Sequence, residues 1–152
     1  MHMPPQTSGL EADWREEGFD LWSATGSFER SIARFFFREG DTSILFRLEV
    51  TKDQCNGAGT VHGGFLSTLA DEWMAINVAR LLPVGARFVT ASLAIDFLNP
   101  ALPGDVLESA IDRIKTGRRL CFASGAILHA GTLVAAIRAS FAMLEVRQAM
   151  SG

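Results

Sequence analysis

One stretch constrains this chain more than any other. Between residues 64 and 82, Phe65, Leu66, Leu69, Trp73, Ile76, Ala79 and Leu81 or Leu82 recur at a spacing of three to four, the period of an α-helix. Alanines and Met74 take up much of the surface that remains, so the helix is apolar almost all round. Such a helix is buried, because no face of it belongs in water. Pro83 and Gly85 end it. Whatever else the chain forms must wrap this helix.

The flanking sequence supplies the wrapping. Residues 31–38 and 42–50 are rich in Phe, Ile, Leu and Val and flank Glu39-Gly40-Asp41, a hairpin signal. Residues 51–63 hold Asn56, Gly57, Gly59 and Gly63 and read as a loop. After the helix, Val89, Ala91, Leu93, Ile95 and Phe97 alternate with Thr90, Ser92, Ala94 and Asp96, a period of two. Strands over 106–115, 119–129 and 132–145 follow, parted by turns at Thr116-Gly117 and Ala130-Gly131. The expected order is β-β-α-β-β-β-β, an α+β fold whose antiparallel sheet curls around the helix. Residues 1–30 carry Trp14, Trp22 and Phe28 among several prolines and glycines. They read as an N-terminal extension, with a short helix near 11–19, that packs on a domain of 31–147 or helps to cover a pocket. Residues 148–152 read as a tail.

Composition narrows the function. A chain of 152 residues fits one domain, and 48% hydrophobic content with a net charge of -3 excludes disorder. No segment reaches the ~20 apolar residues of a membrane span, and no signal peptide is read at the N-terminus, so a cytoplasmic protein is expected. A pI near 5.6 carries no basic footprint for nucleic acid. Cys55 and Cys121 lie far apart without metal-ligand spacing and read as two free thiols in a reducing compartment. A mean hydropathy of +0.19 is high for a small monomer. It implies a large core or apolar surface covered by another subunit.

The chemistry concentrates in residues 56–72, NGAGTVHGGFLSTLADE. His62-Gly63-Gly64 falls where loop becomes helix. There the backbone N–H groups lack partners, the helix dipole is positive, and glycine lets a ligand come close. That combination suits an oxyanion hole. Asp71 lies about two turns on, in a poor place for Asp, with no cation at i±3 or i±4. A carboxylate kept there against its burial cost suits a general base or nucleophile. Read alone, Asp71 serves equally well as a solvent-facing or strand-bonded group, Asn56 as a turn residue, His62 as a helix cap and Thr90 as a β-former.

Taken together, Asn56, His62-Gly63-Gly64 and Asp71 resemble the hotdog-fold acyl-CoA thioesterases, in particular the PaaI-like, phenylacetate-pathway branch. Residues 89–100, VTASLAIDFLNP, with Pro103-Gly104-Asp105 and Thr116-Gly117-Arg118-Arg119, extend the resemblance over roughly 28–145. It implies a curved antiparallel sheet around the long helix, and a homodimer or homotetramer with active sites between subunits. It implies that the Gly63 N–H polarises a thioester carbonyl and that Asp71 activates water or attacks directly. Thr90 of the facing subunit would position the water or the carboxylate. Asn56 would fix the loop or touch the thioester, and His62 would orient the loop. Gly64, Phe65 and Glu72 would border the substrate, and Arg118 and Arg119 would meet coenzyme A phosphates, a role that solvated hairpin charges would equally explain. Phe65, Leu66, Trp73 and Trp22 are candidates to line the acyl pocket. The same resemblance places strand 132–145 and its neighbours near subunit contacts. No metal and no cofactor beyond the coenzyme A of the substrate is implied. Glu72 departs from the family pattern, where a small or apolar residue is common; with the helix rotated it would rival Asp71. Two alternatives stay open: a hotdog dehydratase or hydratase, whose differently spaced His motif is not found here, and a non-catalytic acyl-CoA-binding module.

Overall fold

The computed structural model describes residues 9–145; residues 1–8 and 146–152, which include the tail read at 148–152, lie outside the described residues. Helix α3 (Gly63–Ala79) runs through the centre. Leu69, Ala70, Trp73, Met74 and Val78 along it are fully buried. The wrapping is a single seven-stranded sheet of β1 (Asp20–Leu21), β2 (Phe36–Glu39), β3 (Ile44–Glu49), β4 (Phe88–Phe97), β5 (Val106–Lys115), β6 (Leu120–His129) and β7 (Thr132–Met143). Their order is β1-β2-β3-β5-β6-β7-β4, and every neighbouring pair is antiparallel. This is the hotdog architecture: one sheet curled around one long helix.

Alternation decides which face of each strand meets the helix. Ile44, Phe46 and Leu48 of β3, Cys121, Ala123 and Ile127 of β6, and Ala135, Ile137, Ala139 and Phe141 of β7 are all buried, at a period of two. Trp73 lies flat on Phe46, with ring centroids 5.7 Å apart, and Phe35 and Trp22 set their edges against the pair. The one buried polar residue of α3, Asn77, pins the helix to the sheet. Its Oδ1 accepts from the Ile44 N–H at 2.7 Å, and its Nδ2 donates to the carbonyls of Trp73 (2.9 Å) and Ile44 (3.2 Å). Between β6 and β7, Ala130 and Gly131 form a two-residue loop with φ of 47° and 78°. Two positive φ values make the turn whose twist matches a hairpin, which is why a glycine stands there.

The N-terminal part departs from expectation. Residues 27–32 are a short helix, α2 (Ser27–Ile32), and the first long strand starts only at Phe36. Ser31 and Ile32, read as strand, close that helix; the chain turns extended at Ala33, with φ -163° and ψ 156°. Upstream, α1 (Gly9–Glu16) buries Trp14 against Phe36 and Phe19, and β1 adds an edge to the sheet. The segment is thus built into the domain through β1 rather than only laid against it. Trp22 packs among Phe35, Phe37 and Phe46, and Trp73 is wholly buried. Trp73 belongs to the core, and the partly buried Trp22 packs against it.

Candidate functional site

The site begins at the helix N-terminus. His62 caps it: backbone φ -67° and ψ 133° keep it outside the helix, and its Nδ1 accepts the Gly64 N–H at 2.8 Å. An accepting Nδ1 carries no proton, so the neutral ring holds its proton on Nε2. The cap takes the Gly64 N–H out of play, while the Gly63 N–H donates to no acceptor among the described residues. The Phe65 N–H likewise donates to no acceptor among the described residues, so two backbone donors, of Gly63 and Phe65, are left open at the positive end of the dipole. The backbone passes close to Phe97: a Cβ at 63 would lie 3.1 Å from its Cζ, so that ring would have to shift slightly for any other residue.

The preceding loop is held by Asn56. Its Oδ1 accepts from the N–H groups of Ala58 (2.9 Å) and Thr60 (3.2 Å), and its Nδ2 donates to Thr60 Oγ1 at 2.9 Å. Its backbone N–H reaches the Thr60 carbonyl at 2.8 Å. With both ends of the amide engaged, Asn56 shapes the loop and has little left to offer a substrate. Thr60, its partner, escaped the sequence reading, although an Asn followed four residues later by Thr in a glycine loop is a recognisable side-chain turn.

Two turns into α3, Asp71 is half-buried and its Oδ1 accepts the Thr90 hydroxyl at 2.6 Å. That length suits a charge-assisted bond to a carboxylate. Thr90 and Asp71 meet within one chain, which corrects the expectation that Thr90 serves Asp71 from a facing subunit. Oδ2 accepts no hydrogen bond among the described residues and is free for water.

Glu72 does not share this environment. The helix turns ~100° per residue, and Glu72 comes under the influence of Glu29 on α2. Burial first, then the Glu29 and Asp71 carboxylates, push its carboxyl from 4.5 up to about 7.

Two cavities flank the helix N-terminus. One, of about 470 Å³, is lined by Ser31, Ile32, Gln54, Cys55, His62 and Phe65. The other, of about 370 Å³, lies between Asn56, Gly63, Leu66, Phe97 and Ala101. Phe65 borders the first cavity and Leu66 the second, and Gly64 is exposed beside them. A third cavity, of about 490 Å³, lies on the far face of the sheet between Ser92, Arg113, Phe122, Arg138 and Ser140, away from this chemistry. Arg118 and Arg119 are exposed in the β5–β6 turn. The register Thr90↔Phe141↔Cys121 puts that turn at the end of the sheet that carries Thr90, two strands away. No group of three or more His, Cys, Asp or Glu among the described residues could hold a metal, and no helix among them is long and apolar enough to cross a membrane.

One antiparallel sheet curled around one central helix is the architecture of the hotdog thioesterases. The chain belongs to the thioesterase superfamily, whose family model matches residues 58–136. It is 35% identical over 116 residues, 76% of this chain and 86% of the relative, to the putative esterase PA0474 of Pseudomonas aeruginosa. It is 28% identical to human acyl-coenzyme A thioesterase 13 over 101 residues, 64% of this chain and 70% of that one. Its fold matches a mutant structure of the phenylacetic acid degradation protein PaaI from Thermus thermophilus with a TM-score of 0.68 and 25% identity, over 78% of this chain and all of that one. Acyl-CoA thioesterase activity is thus supported at the level of the family.

Proposed function

We propose that the protein hydrolyses an acyl-CoA thioester to the free acid and coenzyme A. In this reading the Gly63 N–H polarises the carbonyl, and Asp71, held by Thr90, activates the attacking water or attacks the carbonyl itself. The observation that carries it is the 2.6 Å Thr90–Asp71 bond on a helix whose first N–H is open. The Thr90 hydroxyl orients one carboxylate oxygen and leaves the other to face the water. His62 and Asn56 act by holding the donor end and its loop in shape. Arg118 and Arg119 meet the coenzyme A phosphates, and Gly64 and Phe65 border the acyl group. No metal or cofactor enters, coenzyme A being part of the substrate.

The helix itself argues for two chains per site. Gly63 and Asp71 are eight residues apart, and at 1.5 Å per residue their backbones are ~12 Å apart along the axis. A carbonyl oxygen within ~3 Å of the Gly63 N–H is then out of reach of Asp71 of the same chain. The reading therefore pairs Gly63 of one chain with Asp71 and Thr90 of another. Strand β4, ten residues long and at the open edge of the sheet, is the natural junction. Val89, Phe97 and Leu98 leave 49%, 55% and 51% of their surface exposed there. On this reading the protein works in the cytoplasm, where its two free cysteines stay reduced, as a homodimer or a homotetramer.

Release of free thiol from a panel of acyl-CoA esters tests the activity. Turnover by the wild type that Asp71→Asn abolishes is the expected result; a fully active Asp71→Asn protein would refute the role of Asp71. Binding of acyl-CoA without any turnover would favour the non-catalytic alternative, and hydration of an enoyl-CoA would favour the hydratase.

A further inference from the structure

The cavity of about 490 Å³ on the far face of the sheet has no part in that chemistry, and two β-bulges shape it. Along β5, Leu107, Ser109 and Ile111 are buried, so a regular strand would turn Arg113 and Lys115 inward as well. The register shift between Ile111 and Arg113 inserts Asp112 and reverses the alternation. Ile114 then packs on the core, and Arg113 and Lys115 are exposed on the far face. Strand β6 comes so near β5 there that a Cβ on Gly125 would lie 2.2 Å from the Ala110 carbonyl oxygen, so only glycine fits opposite the bulge. Along β4, the shift between Thr90 and Ser92 acts in the same way. Thr90 reaches Asp71 on α3, while the Ser92 hydroxyl meets that of Ser140 at 2.7 Å on the other face. A bulged strand bends, and the two bends frame a hollow over β6 and β7.

The register decides what lines the hollow. In one row across the sheet, Arg113 and Arg138 flank Ser124. In the next, Lys115 stands beside Phe122, and Phe122 beside Ser140. Neighbouring strands lie ~4.8 Å apart, so the two arginines start ~10 Å apart, a span that two such side chains close on one anion. None of the three cations joins an ion pair among the described residues, whereas Arg34, Arg47 and Arg80 do. The nearby carboxylates leave them free: Asp112 accepts the Ser124 hydroxyl at 3.0 Å, and Asp96, two residues beyond Ala94 on β4, pairs with none of them. Three unpaired cations in a chain of net charge -3 make a local positive field. Phe122 adds an aromatic ring that is 47% exposed.

We propose that this hollow binds a small organic carboxylate with a flat apolar body. The guanidiniums of Arg113 and Arg138 take the carboxylate, in the forked geometry that arginine offers to such anions. Lys115 adds charge, and the apolar body lies on Phe122, with the small side chains of Ser124 and Ser140 leaving the floor open. A free phosphate would satisfy the cations but leave the ring bare. The size is that of an ordinary small-molecule site. The site stands whether or not the thioesterase reading holds.

Titration calorimetry of the full chain with 2-naphthoate is the test. One equivalent per chain should bind with a Kd below about 1 mM. Replacing both Arg113→Gln and Arg138→Gln should weaken binding about tenfold or more, the value of hydrogen bonds to charged groups, and the uncharged 2-naphthamide should lose as much against the wild type. Phe122→Ser should weaken naphthoate and leave inorganic phosphate unchanged. Both arginines are exposed, so the fold should survive their loss; Arg138→Lys, which keeps the charge without the fork, reads the same contact more gently. No binding of naphthoate, equal affinity for the amide, or an affinity that neither arginine variant changes would overturn the site. Sedimentation gives one further outcome: an oligomer that the double arginine variant dissociates, with no naphthoate bound by the wild type, would make this face an interface between copies and overturn the proposal.

Discussion

If each site draws Gly63 from one chain and Asp71 from another, two inactive variants should repair each other. Gly63→Pro removes the open Gly63 N–H and little else. Proline suits the first position of a helix, and His62, at φ -67° and ψ 133°, already has the backbone that a residue before proline adopts. The added Cβ meets only Phe97, whose Cζ lies 3.1 Å away and which is 55% exposed, so it can turn aside. Loss of one oxyanion donor costs about 2.7–4 kcal/mol, a 10²–10³-fold drop in kcat. Asp71→Asn keeps an oxygen to accept the Thr90 hydroxyl but loses the base, roughly a 10²–10⁴-fold drop. Co-expressed with separate tags and mixed at random, half of the dimers hold one chain of each kind. In those, one site combines the intact Gly63 of the Asp71→Asn chain with the intact Asp71 of the Gly63→Pro chain, and the second site lacks both. Thiol release by the random mixture should recover to about a quarter of wild type per site, as two-fold symmetric pairing requires. Purified mixed dimers that stay as inactive as either parent would refute the ~12 Å argument and place each site within a single chain.

Other outcomes follow from single contacts. Thr90→Val keeps the shape but removes the hydroxyl from Asp71, and kcat should fall roughly 10–100-fold, the value of a hydrogen bond to a charged group, while Thr90→Ser stays near wild type. Asn77→Leu strands the Ile44 N–H and C=O, and denaturant unfolding should show a loss of about 2–5 kcal/mol with the slope unchanged. Val89→Lys puts a charge on the free edge of β4, and sedimentation should show dissociation to monomers together with loss of turnover. Because the folded state raises the Glu72 carboxyl to about 7, its contribution to stability is lost as pH rises from about 4.5 toward 7; Glu72→Gln should flatten the melting temperature across that window.

How much of this was legible depended on the range of the interactions involved. Helix α3, expected over 64–82, spans Gly63–Ala79, because a repeat of apolar residues along one segment is a local signal. Strand β5 has the expected bounds, Val106–Lys115, and β4, β6 and β7 differ from expectation by one or two residues at an end. Helix α2 is not legible. Six residues carry too little periodicity to separate from a strand, and its end is tied by tertiary contact to the loop before α3, where Gln54 Nε2 donates to the Ile32 carbonyl. At the site, His62, Gly63 and Asp71 stand out because helix ends and lone carboxylates carry their own physics. The partnership of Asp71 with Thr90 came from family resemblance, and its arrangement within one chain needed the sheet, since β4 is brought beside the helix only by pairing with β7. Nothing local marks Phe97 as the cover of Gly63; that contact arises from tertiary folding between segments far apart in sequence.

The surplus of apolar residues bears on the oligomer independently of the catalytic geometry. Had α3 and its sheet absorbed all of it, the surface would carry only scattered apolar side chains, as most monomers do. Instead Val89, Phe97 and Leu98 lie exposed along or just beyond β4, and Leu120 and Phe122 on β6, while the interior positions of β7 are filled. With Leu133 exposed on β7 itself, this set lies on β7 and its two neighbours in the sheet, the region where the resemblance puts subunit contacts, while Phe28, Leu81, Val84 and Leu102 are exposed elsewhere. A ten-residue edge with unpaired backbone groups and apolar flanks is an invitation to a second strand, and an identical β4 from another copy supplies one of matching length. An antiparallel β4–β4 junction would also carry Thr90, and with it Asp71, toward the partner's helix. The ~12 Å that separates donor from carboxylate within one helix makes the same demand. Edge, hydropathy and catalytic spacing thus call for one and the same neighbour, so a protein that turned over substrate as a monomer at micromolar concentration would contradict all three.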